Sequence, residues 1–279
     1  MISEELQIIS DFTGVDPKEI KFSDAGFLSR GYIIDNGRIV FKFKKYPEIS
    51  YKNEIKNLNY INSLGLGINI QRVGWVSEED NYLGVYGVIG ESLKAIEMTD
   101  EKREDYGRQI ASFLKELHSI DFPEAETLTV KKEINAWQER FERSKDLLTR
   151  YFKNEEIEKM ASFIYVSAPK QLASLGEKMV FSHGDLGMGN IFVDDNNKIG
   201  VIDFSESMYL DEAADFMDIE DDKLCAKILD AYNADDLMRE KVAIRRAVHP
   251  MFVINTYRDR PEEEILCFVN KIRRWLKQN

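Results

Sequence analysis

"SHGDLGMGNIFVDDNNKIGVIDF", residues 182–204, is the stretch on which the fold turns. It places one of only three histidines beside an aspartate in a segment too rich in glycine for a stable helix. "NIFV" and "KIGVIDF" then flank Asp194-Asp195-Asn196-Asn197, a polar turn between two β-rich runs, so the second half reads as a hairpin. Its polar residues keep a definite spacing: His183-x-Asp185-x-x-x-x-Asn190, and Asp203 thirteen positions after Asn190. A carboxylate on a short loop suits a hydroxyl that must lose its proton. An amide and a second carboxylate, delivered by the two ends of one hairpin, are the hard oxygen donors that magnesium prefers. That pattern points to phosphoryl transfer from a nucleotide, with Asp185 near the acceptor hydroxyl and Asn190 and Asp203 as metal ligands.

Upstream residues supply the rest of such a site. Lys42, in the strand "IVFKF" (39–43), is where a cation grips the α- and β-phosphates, and Glu54 on the following helix is its ion-pair partner. Taken alone, Lys42 would be read as one lysine of a solvent-facing basic strand. "SDAGFLSRG" (23–31) lacks G-x-G-x-x-G but offers Gly26, Gly31, the backbone amides of 27–29 and the Ser29 hydroxyl, which either cradle phosphate oxygens or form a plain hairpin turn.

Around these motifs the chain divides unevenly. Residues 1–90 read as a small nucleotide-binding lobe, mostly strand with one helix over 51–65. Its turns are the strong Asp35-Asn36-Gly37 signal and a second one near 78–81. Residues 91–279 read as a helical lobe carrying the catalytic hairpin and the substrate pocket, with helices from 99 or 100 through Leu117 and over about 130–150, 154–175, 221–233 and 262–277. The expected fold class is α+β, two lobes with a cleft between them. The 279 residues are 43% hydrophobic and 32% charged with net charge −12, a surface that repels nucleic acid and anionic lipid and suits a cationic ligand. The same acidity also serves plain solubility. Two cysteines without metal spacing read as reduced thiols, no apolar run nears the about 18 residues of a membrane span, and no signal peptide is legible. The expectation is a cytoplasmic monomer.

The segments "FLKELHSID" (113–121), "SHGDLGMGNIFV" (182–193), "GVIDFSES" (200–207) and "DEAADF" (211–216), with "IVFKF" and Glu54, resemble the aminoglycoside phosphotransferase and choline kinase family, which has the protein-kinase-like fold. The likeness is greatest to aminoglycoside 2''-phosphotransferases. It implies Asp185 as catalytic base, Asn190 and Asp203 on Mg2+, Lys42 and Glu54 as the phosphate-gripping pair, and His183 and Asp215 as supports of the loop. His118 matches a family marker with a packing role. "YLGVYGVIGESL" (82–93) takes the place of the inter-lobe hinge, where the backbone from Tyr86 to Val88 would bind the purine of ATP or GTP and Val85 would gate the deeper pocket.

For the acceptor, "DEAADFMDIEDD" (211–222) holds seven acids in twelve positions. Such crowding calls for solvent, a helix N-terminus or a cation. The resemblance to enzymes acting on 4,6-disubstituted aminoglycosides implies Asp218, Glu220, Asp221 and Asp222 as substrate-binding acids, with Glu139 and Glu142 behind them. The C-terminus "RRWLKQN" (273–279) lacks the aromatic, acidic tail of other aminoglycoside kinases. The resulting expectation is an aminoglycoside O-phosphotransferase that confers resistance. The alternatives are a housekeeping kinase for choline, homoserine or a sugar, and a non-catalytic nucleotide-binding module.

Overall fold

The computed structural model describes residues 2–24, 26–67 and 69–279. In chain order the elements are α1 (Ile2–Thr13), β1 (Lys21–Ser23), β2 (Ser29–Ile34), β3 (Ile39–Lys44), α2 (Lys52–Ser63), β4 (Asn69–Ile70), β5 (Arg72–Val76), β6 (Tyr82–Tyr86), β7 (Glu91–Ser92) and α3 (Asp100–His118). They continue with α4 (Val130–Leu148), α5 (Asn154–Ser162), α6 (Ala168–Leu175), β8 (Met179–Ser182), β9 (Ile191–Val193), β10 (Ile199–Val201), β11 (Met208–Asp211), α7 (Asp222–Tyr232), α8 (Asp236–Val253) and α9 (Glu262–Gln278). A sheet-rich N-terminal region and a mostly helical C-terminal region make the expected α+β organisation. Contacts group the chain into two units, one of Met1–Glu116 with Asp185–Ser207 and one of Leu117–Gly184 with Met208–Asn279.

The first unit is built on an antiparallel sheet in the order β1-β2-β3-β6-β5. Side chains alternate across a strand, so in β3 Phe41 and Phe43 turn to one face and Lys42 to the other. The aromatic face is sealed by α1, whose Ile9 packs with Tyr32, Ile34, Phe41 and Phe43. The β2–β3 turn contains the expected Asp35-Asn36-Gly37, all three with positive φ. At the end of β6, Gly87 admits no side chain, because a Cβ there would stand 2.0 Å from the Gly37 carbonyl oxygen.

A second sheet in this unit runs β4-β10-β9-β7. Its centre is the predicted hairpin, with Ile199 opposite Val193 and Val201 opposite Ile191. Asp194 Oδ1 accepts from the amides of Asn196 and Lys198, both at 2.8 Å, which closes the turn. The Ile202 amide reaches the Asn190 carbonyl at 3.0 Å, so Asn190 and Asp203 leave the hairpin at the same end. Helix α3 starts on Thr99, whose hydroxyl accepts from the Lys102 amide, and its stripe of Tyr106, Ile110, Phe113 and Leu114 is buried as its spacing predicts.

The second unit pairs β8 with β11 and packs α4, α5, α6, α8 and α9 around a core that includes Trp137, Phe141, Met160, Val248 and Phe252. The predicted helix over 154–175 is α5 and α6 joined by a π-turn at Phe163–Ser167. Two helices differ from the sequence expectation, α1 and α8, and one cause serves both. The buried stripe of α8 runs Met238, Lys241, Val242, Arg245, Val248, with two cations among apolar residues. Arg245 is fully buried between Glu133 (2.9 Å) and Asp211 (3.3 Å), and Lys241 lies 3.0 Å from Asp211. Likewise α1 turns Glu5 inward onto Arg30 at 2.6 Å. Buried ion pairs make a core-facing stripe look polar and hide its period. Among the described residues no helix is long and apolar enough to cross a membrane.

Candidate functional site

Lys42, Glu54 and Asp203 meet in the first unit. The Lys42 Nζ lies 2.6 Å from Glu54 Oε1 and 3.4 Å from Asp203 Oδ1. Burial by itself would lower the Lys42 ammonium, but Glu54 and Asp203 more than offset it and hold the group above its ordinary value. Glu54 is pushed up, first by burial and further by Asp203, against the pull of Lys42. The lysine is thus charged and fixed between an almost buried carboxylate and a more open one.

Asp185 and Asn190 are joined across their loop. Asn190 Nδ2 donates to the Asp185 carbonyl at 2.8 Å and to Asp185 Oδ2 at 3.0 Å. The amide nitrogen being committed, Oδ1 is the atom Asn190 has for a cation. Asp203 stands at φ 68°, left-handed backbone that a non-glycine residue holds only under constraint, and its amide donates to Gln71 Oε1 at 2.9 Å. The donors offered by Asn190 and Asp203 are all hard oxygens. Among the described residues no group of three or more His, Cys, Asp and Glu forms a self-sufficient metal cage. Two oxygen-bearing side chains fit magnesium that completes its shell with water and phosphate oxygens.

The loop ahead of β2 is fastened by Lys45, whose Nζ donates to the carbonyls of Gly26 (2.6 Å) and Asp24 (3.2 Å); Ala25 lies outside the described residues. The Ser29 hydroxyl is 2.8 Å from that of Tyr51, a residue sequence reasoning placed only as a helix start. Burial pushes the Tyr51 hydroxyl up to about 12, opposed by Ser29, so it keeps its proton at neutral pH. Tyr86 ends β6 with its ring beneath the Arg72 guanidinium, 4.6 Å away. The Gly87 amide is taken by the Arg38 carbonyl at 2.9 Å, while Val85 and Val88 are buried.

In the second unit Asp215 accepts from the amides of His183 (2.9 Å) and Gly184 (2.8 Å), the two residues preceding Asp185. It also meets His118 Nε2 at 3.0 Å, whose Nδ1 lies 2.8 Å from the Tyr232 hydroxyl. Burial would raise the Asp215 carboxyl; His118, His183 and the Gly184 amide together hold it below its ordinary value.

The acidic stretch carries much less unbalanced charge than its count suggests. Asp211 pairs with Lys241 and Arg245, and Glu212 with Lys178 at 2.6 Å. Asp218 meets His249 at 2.7 Å, and Asp221 caps α7 through the Leu224 amide. Asp222 bridges Arg246 (2.5 Å) and Arg274 (3.1 Å) on the wall of a cavity of about 220 Å³ that Lys271 and Trp275 also line. Glu220 has a contact as well. Of the weaker candidates, Glu142 is held by Lys145 and Tyr165, and Glu139 lies 4.0 Å from Arg143.

The model of the family described as "Phosphotransferase enzyme family" matches residues 19–249. The chain belongs to that family. Solved structures similar to it share its protein-kinase-like fold at low identity. The gentamicin complex of APH(2'')-IIa has a TM-score of 0.73 at 18% identity, covering 96% of this chain and 95% of that one. The GDP complex of aminoglycoside 2'-phosphotransferase-IIIa has a TM-score of 0.76 at 16% identity, with 100% and 99% covered. Macrolide 2'-phosphotransferase type I has a TM-score of 0.68 at 17% identity, with 97% and 96% covered.

Proposed function

We propose that this phosphotransferase moves the γ-phosphoryl group of ATP or GTP to a hydroxyl of an aminoglycoside. The observation that carries the kinase reading is the convergence of Lys42, Glu54 and Asp203, with Asp185 and Asn190 hydrogen-bonded to each other in the same unit. In this reading Lys42 draws the α- and β-phosphates, Glu54 fixes Lys42, and Ser29 with its neighbouring amides covers the phosphate chain. The backbone from Tyr86 to Val88 meets the purine. Asn190 and Asp203 would hold Mg2+, which when bound neutralises charge on the phosphates. The acceptor oxygen attacks the γ-phosphorus, the bond from that phosphorus to the β,γ-bridging oxygen breaks, and ADP or GDP leaves with the bridging oxygen. Asp185 orients the hydroxyl and takes its proton. Holding the reactants in line supplies much of the acceleration. His183 and Asp215 keep the chain before Asp185 in its turn.

The cationic acceptor is supported by the net charge of −12 and by likeness to complexes with gentamicin and with kanamycin. Asp218, Glu220, Asp221 and Asp222 are its proposed ligands, and ammonium groups of the drug would replace present partners such as His249, Arg246 and Arg274. Phosphorylation adds negative charge to a polycationic drug, and in this reading the enzyme, a cytoplasmic monomer, thereby confers resistance on its host cell.

The test is an acceptor panel of kanamycin, gentamicin, a macrolide, choline, homoserine and a simple sugar, read as ADP or GDP release. The reading predicts turnover with kanamycin or gentamicin and none with choline. Turnover confined to the macrolide, choline or the sugar would replace the acceptor. Magnesium-dependent nucleotide binding without any product would leave a binding module.

A further inference from the structure

Asp203 needs an external hold, because left-handed backbone at a non-glycine residue relaxes unless its neighbours prevent it. The hold comes from side-chain amides on both sides of it. Before it, Gln71 Oε1 takes the Asp203 amide at 2.9 Å, and the Gln71 carbonyl is gripped in turn by Asn62 Nδ2 at 2.8 Å. After it, Asn57 Nδ2 donates to the carbonyls of Phe204 (2.9 Å) and Ser207 (3.0 Å), and Asn53 Nδ2 to that of Ser205 (2.6 Å). Asn53, Asn57 and Asn62 all sit on α2, the helix that carries Glu54. Asn57 is fully buried and its Oδ1 has no hydrogen-bond partner. An orphaned amide oxygen is costly in the interior, so this side chain is retained for its nitrogen.

We propose that Asn53, Asn57 and Gln71 are positioning residues that lock the Asp203 backbone to α2, so that Glu54 and Asp203 approach Lys42 as one preset unit. The proposal rests on the reading that Asp203 holds the nucleotide's magnesium. It assigns the amides no contact with substrate. They fix the distance between the carboxylate that anchors Lys42 and the one that faces the metal. Residues that orient a ligand of a metal commonly cost about tenfold or more in metal affinity when removed.

The test uses the full chain, with ADP affinity measured calorimetrically in saturating magnesium and in EDTA. Hydrogen exchange over residues 203–207 is followed in the ligand-free protein. Asn57→Leu is expected to cut the magnesium-dependent gain in ADP affinity about tenfold while the affinity in EDTA stays within about twofold. Exchange over 203–207 should accelerate by about tenfold or more while α8 is unchanged. Asn53→Ala, which loses one bond from a half-buried side chain, is expected to move both readouts in the same direction by about threefold, and it carries the test if Asn57→Leu does not fold. Equal losses with and without magnesium would mean a merely structural role and overturn the proposal. Asp203→Ala separates the two readings. If it keeps the full magnesium gain, the assignment of Asp203 fails and takes the clamp with it. If it loses the gain while Asn57→Leu and Asn53→Ala keep theirs, the clamp alone is overturned.

Discussion

Replacing Lys42 by methionine keeps the length of the side chain and removes its charge, leaving Glu54 without a cation. The lysine side chain is 15% exposed and that of Glu54 2% exposed, so water cannot take over the missing role. Breaking a buried pair by removing one partner costs about 3–5 kcal/mol, and Asp203 adds repulsion from a second carboxylate. For a domain of this size that is a drop of roughly 10 °C in the unfolding transition. The sign of its pH dependence follows from Glu54, whose carboxyl already sits above the ordinary 4.5 in the folded protein, chiefly through burial. Without Lys42 it rises further. A carboxyl raised on folding gives stability that is full below its unfolded value and lost as pH climbs through the folded one. The deficit of Lys42→Met, measured by denaturant unfolding, is therefore expected to be largest near pH 8 and to shrink towards pH 5. The double variant Lys42→Met/Glu54→Leu should regain most of the loss, since an apolar pair of similar volume commonly matches a buried ion pair. A deficit equal at both pH values, with no recovery in the double variant, would refute the account of Glu54 as a charge held in place by Lys42.

Three further outcomes are expected. Asp185→Ala should lower transfer by about a thousandfold or more, with ADP affinity within about twofold, because proton removal and orientation are lost but the phosphate grip remains; steady-state kinetics beside calorimetry reads both. Asp215→Asn should destabilise the second unit by about 1.5–3 kcal/mol at pH 7, through weaker bonds to the His183 and Gly184 amides. Because the Asp215 carboxyl is held below its ordinary 3.8, the wild-type advantage is present above that value and should vanish as acid titrates the folded group. Gly87→Ala should unfold at a lower denaturant midpoint, since its Cβ would collide with the Gly37 carbonyl.

The hairpin within 182–204 was legible because backbone rules dictate it. The Asp194–Asn197 turn fixes the hairpin register, and the register delivers Asn190 and Asp203 from one end. Lys42 reads as the cation of its strand and Glu54 as its ion-pair partner on the next helix, and the two meet at 2.6 Å. What the sequence hid depends on partners distant along the chain. Asp222 looks like an unbalanced acid until Arg246 and Arg274 close on it, and Lys241 and Arg245 disguise the buried stripe of α8 until Asp211 and Glu133 are in place. The strands β4, β7 and β11, at two to four residues, are too short for an alternation to register. Gln71 and Asn57 give no local signal either, since their bonds reach across more than a hundred positions.

The most direct test of the central claim is phosphorus NMR of the full chain with ATP, magnesium and kanamycin. The account predicts that a new phosphate monoester resonance grows as ADP forms, and that Asp203→Ala and Asp185→Ala both suppress it. A resonance growing at the wild-type rate in either variant would contradict the assignment of phosphoryl transfer to the convergence of these side chains around Lys42.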